Sequence, residues 1–441
     1  MIRKSSEKSY IRLYNIKQGN EVLPKHLLKP LIKLMTSAYF KRRKNQLFIF
    51  LEREIMLLSI SLILIVGMSL GYICQKLKLP SLLGMLITGM ILGPYVLNLL
   101  DSNILAISAD LRKIALIIIL TRAGLGLDLS ALRKLGRPAF LMCFVPATFE
   151  LIGIVLLAPT LLDLSPLEAA IMGAVLAAVS PAVVVPRMVK LMDEGYKDIP
   201  ELILAGASVD DVYVIVLFST FIGMIQGKGA NIISFVNIPI SIILGILIGL
   251  LLGLLLSYFF KNIHIRDTSK VLIILSISLL LVVLEDSLTT SITFSSLISI
   301  MFIGIGLKRN REEVAKRLSI KYGKLWVGAE VFLFVLVGAS VNINYLTHVG
   351  FKALLLIILA LIFRMFGVFI CLLNTKLNKK EKLFAMIAYT PKATVQAAIG
   401  GIPLSLGLAC GDIILTVAVL AIVLTAPLGA FAIDLSYKKL L

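Results

Sequence analysis

Gly206-Ala-Ser-Val-Asp-Asp-Val-Tyr-Val-Ile-Val-Leu-Phe218 places two adjacent carboxylates, Asp210 and Asp211, near the middle of an apolar run from Leu202 to Ile225. A carboxylate at bilayer mid-depth costs roughly 2.5–3.5 kcal/mol on insertion scales, so the pair costs on the order of 5–7 kcal/mol before partners or water compensate. Helix packing calls for nothing of the kind. Ion or proton handling is the default reading of such a stretch.

Working outward, the 441-residue chain is 59% hydrophobic and 16% charged. A soluble domain would carry far more charge, so the composition gives an all-α polytopic membrane protein. The net charge of +19 resides in short loops between apolar runs. That is the pattern of cytoplasmic loops and excludes a nucleic-acid-binding face. Cys74, Cys143, Cys371 and Cys410 lie in or beside apolar segments without CxxC spacing and read as small core residues. With three histidines, none of them clustered, a histidine-built metal site is not indicated, and no cofactor is called for.

Thirteen apolar segments fall within residues 54–434, most of them close to the roughly 20 residues a spanning helix needs. Gly245, Gly249 and Gly253 within one of them suit close helix packing in lipid. Basic residues concentrate in the loops after odd-numbered segments, most densely in Lys308–Lys324 with seven, and in the tail 435–441. The positive-inside rule puts these loops and the C-terminus in the cytoplasm of a cell-membrane protein. Residues 1–53 hold 13 basic and three acidic residues and do not fit that parity. Three readings stand open for this tail: an interfacial amphipathic helix over Leu27–Phe40, a fourteenth crossing, or translation from Met56.

Seven ionisable residues remain at membrane depth: Arg122, Arg364 and Lys392 against Glu150, Asp210, Asp211 and Glu330. Near balance is what mutual compensation in a low-dielectric interior requires. Neighbours on a helix point about 100° apart, so one aspartate can face a water-filled cavity while the other binds a neighbouring helix. The plainer alternative is an Asp that caps broken backbone or pairs with a buried base. It weighs more for Asp210 than for Asp211. Glu150 is expected to pair with Arg364, with Lys392 as the alternative partner. Glu330 and Arg122 read as structural.

Two stretches resemble each other: Ala178-Val-Ser-Pro-Ala-Val-Val-Val-Pro186 and Ala388-Tyr-Thr-Pro-Lys-Ala-Thr-Val-Gln396. Each sets a hydroxyl residue before a proline inside an apolar span, at nearly the separation that divides Glu150 from Arg364. This is the signature of an internal repeat with two interrupted helices. Pro181 and Pro391 would break the helices, leaving half-helix ends with partial charges at mid-membrane. Lys392 would compensate the negative ends, and Ser180 or Thr390 could join a cation site.

These residues carry a resemblance to a known family. Thr121–Asp128, Val179–Pro186, Gly206–Asp211 and Thr390–Gly400 are similar to motifs of the monovalent cation/proton antiporter superfamily, and within its second group to the NHA-type sodium/proton exchangers. The resemblance covers roughly residues 54–434. It implies about 13 transmembrane helices in inverted repeats with two crossed, unwound helices. It also implies core helices at about 113–225 and 325–434, scaffold helices at about 54–100 and 236–260, an elevator-type motion and a homodimer. Carried over, Asp211 matches the carboxylate that binds Na⁺ and H⁺ in turn, Asp210 its neighbour, and Glu150–Arg364 a core salt bridge. Many bacterial relatives carry lysine where this chain has Arg364. A lysine can release its proton during a cycle, whereas arginine stays charged.

The leading expectation is secondary antiport of Na⁺, with Li⁺ or K⁺ as further cations, against H⁺. A sodium-coupled organic-anion symporter or a channel-like sensor could share the inverted-repeat plan. An intramembrane aspartyl protease needs carboxylates converging across a cleft from different helices, which adjacent residues on one helix do not offer. The absence of a large soluble domain after residue 434 argues against ligand-gated potassium-efflux relatives.

Overall fold

In lipid every backbone N–H and C=O must find a partner within the protein, and among the described residues all regular structure is helical. The computed structural model describes residues 56–127, 134–196, 198–226, 232–263, 265–287 and 294–441. The readings of the basic tail 1–53 lie outside these residues. The chain divides into a unit ending at Ser59 and one spanning Ile60–Leu441, and the site belongs to the second.

In chain order the helices are α1 (Met56–Lys76), α2 (Ser81–Leu92), α3 (Ser108–Gly126) and α4 (Arg137–Leu162). Next come α5 (Pro166–Leu176), α6 (Pro181–Asp193), α7 (Asp198–Ile225) and α8 (Ile232–Asn262). They are followed by α9 (Asp267–Ser287), α10 (Ser296–Asn310), α11 (Glu312–Ala339) and α12 (Ile343–Cys371). The last are α13 (Lys379–Ala388), α14 (Thr394–Gly400) and α15 (Gly411–Leu440).

Nine helical spans among the described residues are long and apolar enough to cross a membrane, one of them α5 and α6 taken together. Four of the thirteen apolar segments fall short of that standard, each for a local reason. Segment 80–100 gives only the 12 residues of α2, because Gly93 leaves the helix with extended backbone. Segment 113–128 forms α3, which carries Asp110, Arg112, Lys113 and Arg122. Segment 289–307 yields the 15 residues of α10. Segment 383–406 is split into α13 and α14.

Two groups of helices emerge from the packing. α2 and α3 pack on α11, α3 also on α10, and α10 on α8. α4 packs on α12 and α5, α7 on α5 and α6, and α15 on α12, α13 and α14. The sequence reading set residues 113–126 and 325–339 among the core helices; α3 packs on α10 and α11, and α11 on α2 and α10. Glycine makes this possible. A Cβ on Gly89 of α2 would overlap Val335 O, and one on Gly338 of α11 would overlap Leu86 O, so the two backbones touch directly. Gly245, Gly249 and Gly253 likewise bring α8 close to the carbonyls of Ser295, Ser299 and Ile303. Gly89→Val is expected to lower stability by about 1–3 kcal/mol, the range for overpacking a closed interior, seen as a lower thermal midpoint in detergent. An unchanged midpoint would mean that α2 and α11 can part there at little cost.

Candidate ion-exchange site

The site is built on two interruptions. Leu176 ends α5, Ser180 is extended, and Pro181 opens α6 at the first helical position, where its missing N–H leaves nothing unsatisfied. Ala388 ends α13, and α14 begins only at Thr394, with Pro391 between them. The two breaks bond to each other, since Ser180 N–H donates to Pro391 O over 2.8 Å. Gly429 of α15 has no Cβ, and one there would press on the Pro391 ring.

Buried charge fills the space around the breaks. Arg364 of α12 is fully buried and is the hub. Its Nη1 donates to Glu150 Oε2 at 2.9 Å and to Ala177 O. Its Nη2 donates to Asp210 Oδ2 at 2.9 Å, and its Nε to Tyr389 O at 2.5 Å. Lys392 Nζ reaches the same Glu150 Oε2 at 2.5 Å, while its backbone N–H donates to Thr425 Oγ1. The two partners weighed for Glu150 are thus held at once. Lys392 was expected to serve the helix ends; its ammonium lies on the Glu150 carboxylate.

The adjacent aspartates have different surroundings. Asp210 is fully buried, and its Oδ2 accepts both Arg364 and the Val179 N–H, the latter at 2.7 Å. It caps broken backbone and pairs with a buried base. Asp211 is only partly buried and makes no ion pair among the described residues, and its Oδ1 is shielded from solvent without a hydrogen-bond partner. Ser180 Oγ is likewise shielded and unpartnered. Thr390 gives its hydroxyl proton to Ile387 O. Arg122 and Glu330 stand apart from this cluster, on α3 and α11, where Arg122 is the charge facing Glu330.

Sequence reasoning missed two participants. Tyr389 supplies the carbonyl for Arg364 Nε, stacks its ring 5.2 Å from the guanidinium and donates its hydroxyl to Met142 O. Gln396 joins the two breaks through its amide. Its signal was present, an uncharged amide in an apolar run directly after the second proline motif.

A family model described as sodium/hydrogen exchanger, transmembrane, matches residues 60–435. Sodium/hydrogen exchanger 9B2 of Homo sapiens is 34% identical over 386 residues, covering 82% of this chain and 70% of its own. The Xenopus tropicalis protein of that name is 36% identical over 395 residues, covering 84% and 72%. Among solved structures, the sodium proton antiporter MjNhaP1 from Methanocaldococcus jannaschii superposes with a TM-score of 0.77 at 23% identity, over 88% of this chain and 99% of its own. That likeness shows the fold. A family match along nearly the whole helical region, around a buried cluster of acids and bases, makes this multi-pass membrane protein a member of the sodium/hydrogen exchanger family, a transporter and not an enzyme.

Proposed function

We propose that the protein exchanges one Na⁺ for one H⁺ by alternating access, with Asp211 holding the cation and the proton in turn. One observation carries this reading: among the described residues, Asp211 is the cluster's carboxylate without a base. Glu150 and Asp210 are matched by Arg364 and Lys392 at their formal charges. One negative charge then remains, and either one proton or one monovalent cation cancels it. The two loaded states carry equal charge, so the swap is electroneutral. Ser180 Oγ, shielded and without a partner, is a co-ligand candidate, and Thr390 retains lone pairs for the same role. Li⁺ fits the same oxygens, and K⁺ is the third cation to be compared.

Residues 137–225 and 343–434 form the two inverted halves of the moving core, crossing at the breaks. Residues 60–126 and 232–339 form the scaffold, through which a homodimer assembles. The packing of α3 and α11 on α10, and of α10 on α8, supports that division. The basic stretch Lys308–Lys324 sets its side as cytoplasmic, together with the C-terminus.

Proteoliposomes test the reading. Added Na⁺ is expected to collapse a preset pH gradient with no organic co-substrate, at a rate that does not change when the membrane potential is clamped. A rate that follows the potential would overturn one-for-one exchange. Absence of Na⁺-driven proton movement would overturn the proposal as a whole.

A further inference from the structure

We infer that Gln396 is a positioning residue of the cation site, one that sets cation affinity and the preference for Na⁺ over K⁺ by fixing the backbone of the opposite break. The inference rests on the placement of that site at Asp211 and Ser180. Gln396 is fully buried, on α14. Its Oε1 accepts the Ala393 N–H at 2.8 Å. Its Nε2 donates to Leu176 O at 3.2 Å and to Ala178 O at 2.9 Å. Only one orientation of the amide satisfies all three, because the partners are one donor and two acceptors.

These bonds govern what the first break can present. An unwound segment exposes carbonyls that would otherwise turn toward any cation nearby. Here three successive ones are occupied: Leu176 O and Ala178 O by Gln396, and Ala177 O by Arg364. The N–H groups of the next two residues are held as well, Val179 by Asp210 and Ser180 by Pro391 O. The stretch leading to Ser180 therefore has a fixed path, which fixes the distance from Ser180 Oγ to Asp211. A rigid set of few oxygens suits a small cation. Release of two carbonyls gives a looser set with additional oxygen ligands, which favours a larger one. Gln396 touches none of the transported ions in this account and acts through the backbone of residues 176–180.

Gln396→Glu keeps the length and shape but removes the N–H donors, and Gln396→Asn keeps the donors but withdraws them by one methylene. In proteoliposomes each is expected to raise the apparent KM for Na⁺ about tenfold, with the maximal rate at saturating Na⁺ within about twofold of wild type. The ratio of Na⁺ to K⁺ responses is expected to fall in parallel. A lower thermal midpoint or a lower maximal rate, with KM and cation preference unchanged, would mean that Gln396 is only structural and would overturn the inference. Should one variant fail to fold, the other is read by the same criteria. Asp211→Asn, measured alongside, separates the two levels of argument. If it is inactive and the Gln396 variants keep wild-type KM and preference, the Gln396 inference alone fails. If Asp211→Asn still exchanges, the site reading itself fails.

Discussion

Asp211→Asn is expected to reduce Na⁺-driven proton movement to the background of empty vesicles while the protein still folds and purifies as wild type. Both halves of this expectation come from the same geometry. The amide can neither take up nor release a proton, and it offers a monovalent cation no compensating charge. Asp211 makes no ion pair among the described residues, so no partner is stranded by its neutralisation. The change also removes the negative charge beside Asp210, which leaves the pairs among Glu150, Asp210, Arg364 and Lys392 intact. Asp210→Asn should behave in the opposite sense. It strips Arg364 of one carboxylate and weakens the cap on Val179 N–H, at a cost of about 1–3 kcal/mol in stability. Exchange assays combined with thermal midpoints separate the two roles. Retained exchange in Asp211→Asn would end the assignment, however stable the variant proved.

The difference between these aspartates was only partly legible in the sequence. Adjacency on a helix dictates that they point in different directions, and the energetics dictate that something must compensate them. Which one meets the arginine depends on the rotation of α7 against α12, and one sequence contains no such angle. The prolines at 181 and 391 announced the breaks, because a helix at membrane depth cannot lose an N–H without consequence. That the breaks would bond to each other, Ser180 to Pro391, requires both halves in place. Charge parity gave the set of buried acids and bases, yet it could not divide them, and Glu150 took two cations where one was expected. Which helices α3 and α11 pack against was illegible for a related reason. What brings α2 and α11 together is the backbone contact permitted by Gly89 and Gly338, a feature of two distant glycines that composition does not weight.

Removal of Arg364 is expected to be the most destabilising single change in the site. The guanidinium serves two carboxylates and two backbone carbonyls from one planar fork, and the residue is fully buried. Arg364→Met replaces it with an apolar chain of similar reach and leaves Asp210 without its base and Glu150 with Lys392 alone. Breaking a buried pair by deleting one partner costs about 3–5 kcal/mol, because the remaining charge stays out of water. A large drop in thermal midpoint should follow, or failure to recover folded protein. Arg364→Lys is expected to rescue little, since three donors on a tetrahedral ammonium cannot reproduce the fork. The pairing itself is tested by a double-mutant cycle of Arg364→Lys with Glu150→Gln, the milder substitutions that keep the protein measurable. Coupling well above about 0.5 kcal/mol is expected, because each change removes the other's partner. Strictly additive losses would mean that the 2.9 Å contact contributes nothing specific. The arginine would then owe its place to Asp210 and the two carbonyls, and the charge balance that leaves Asp211 as the single exchangeable site would have to be drawn without Glu150.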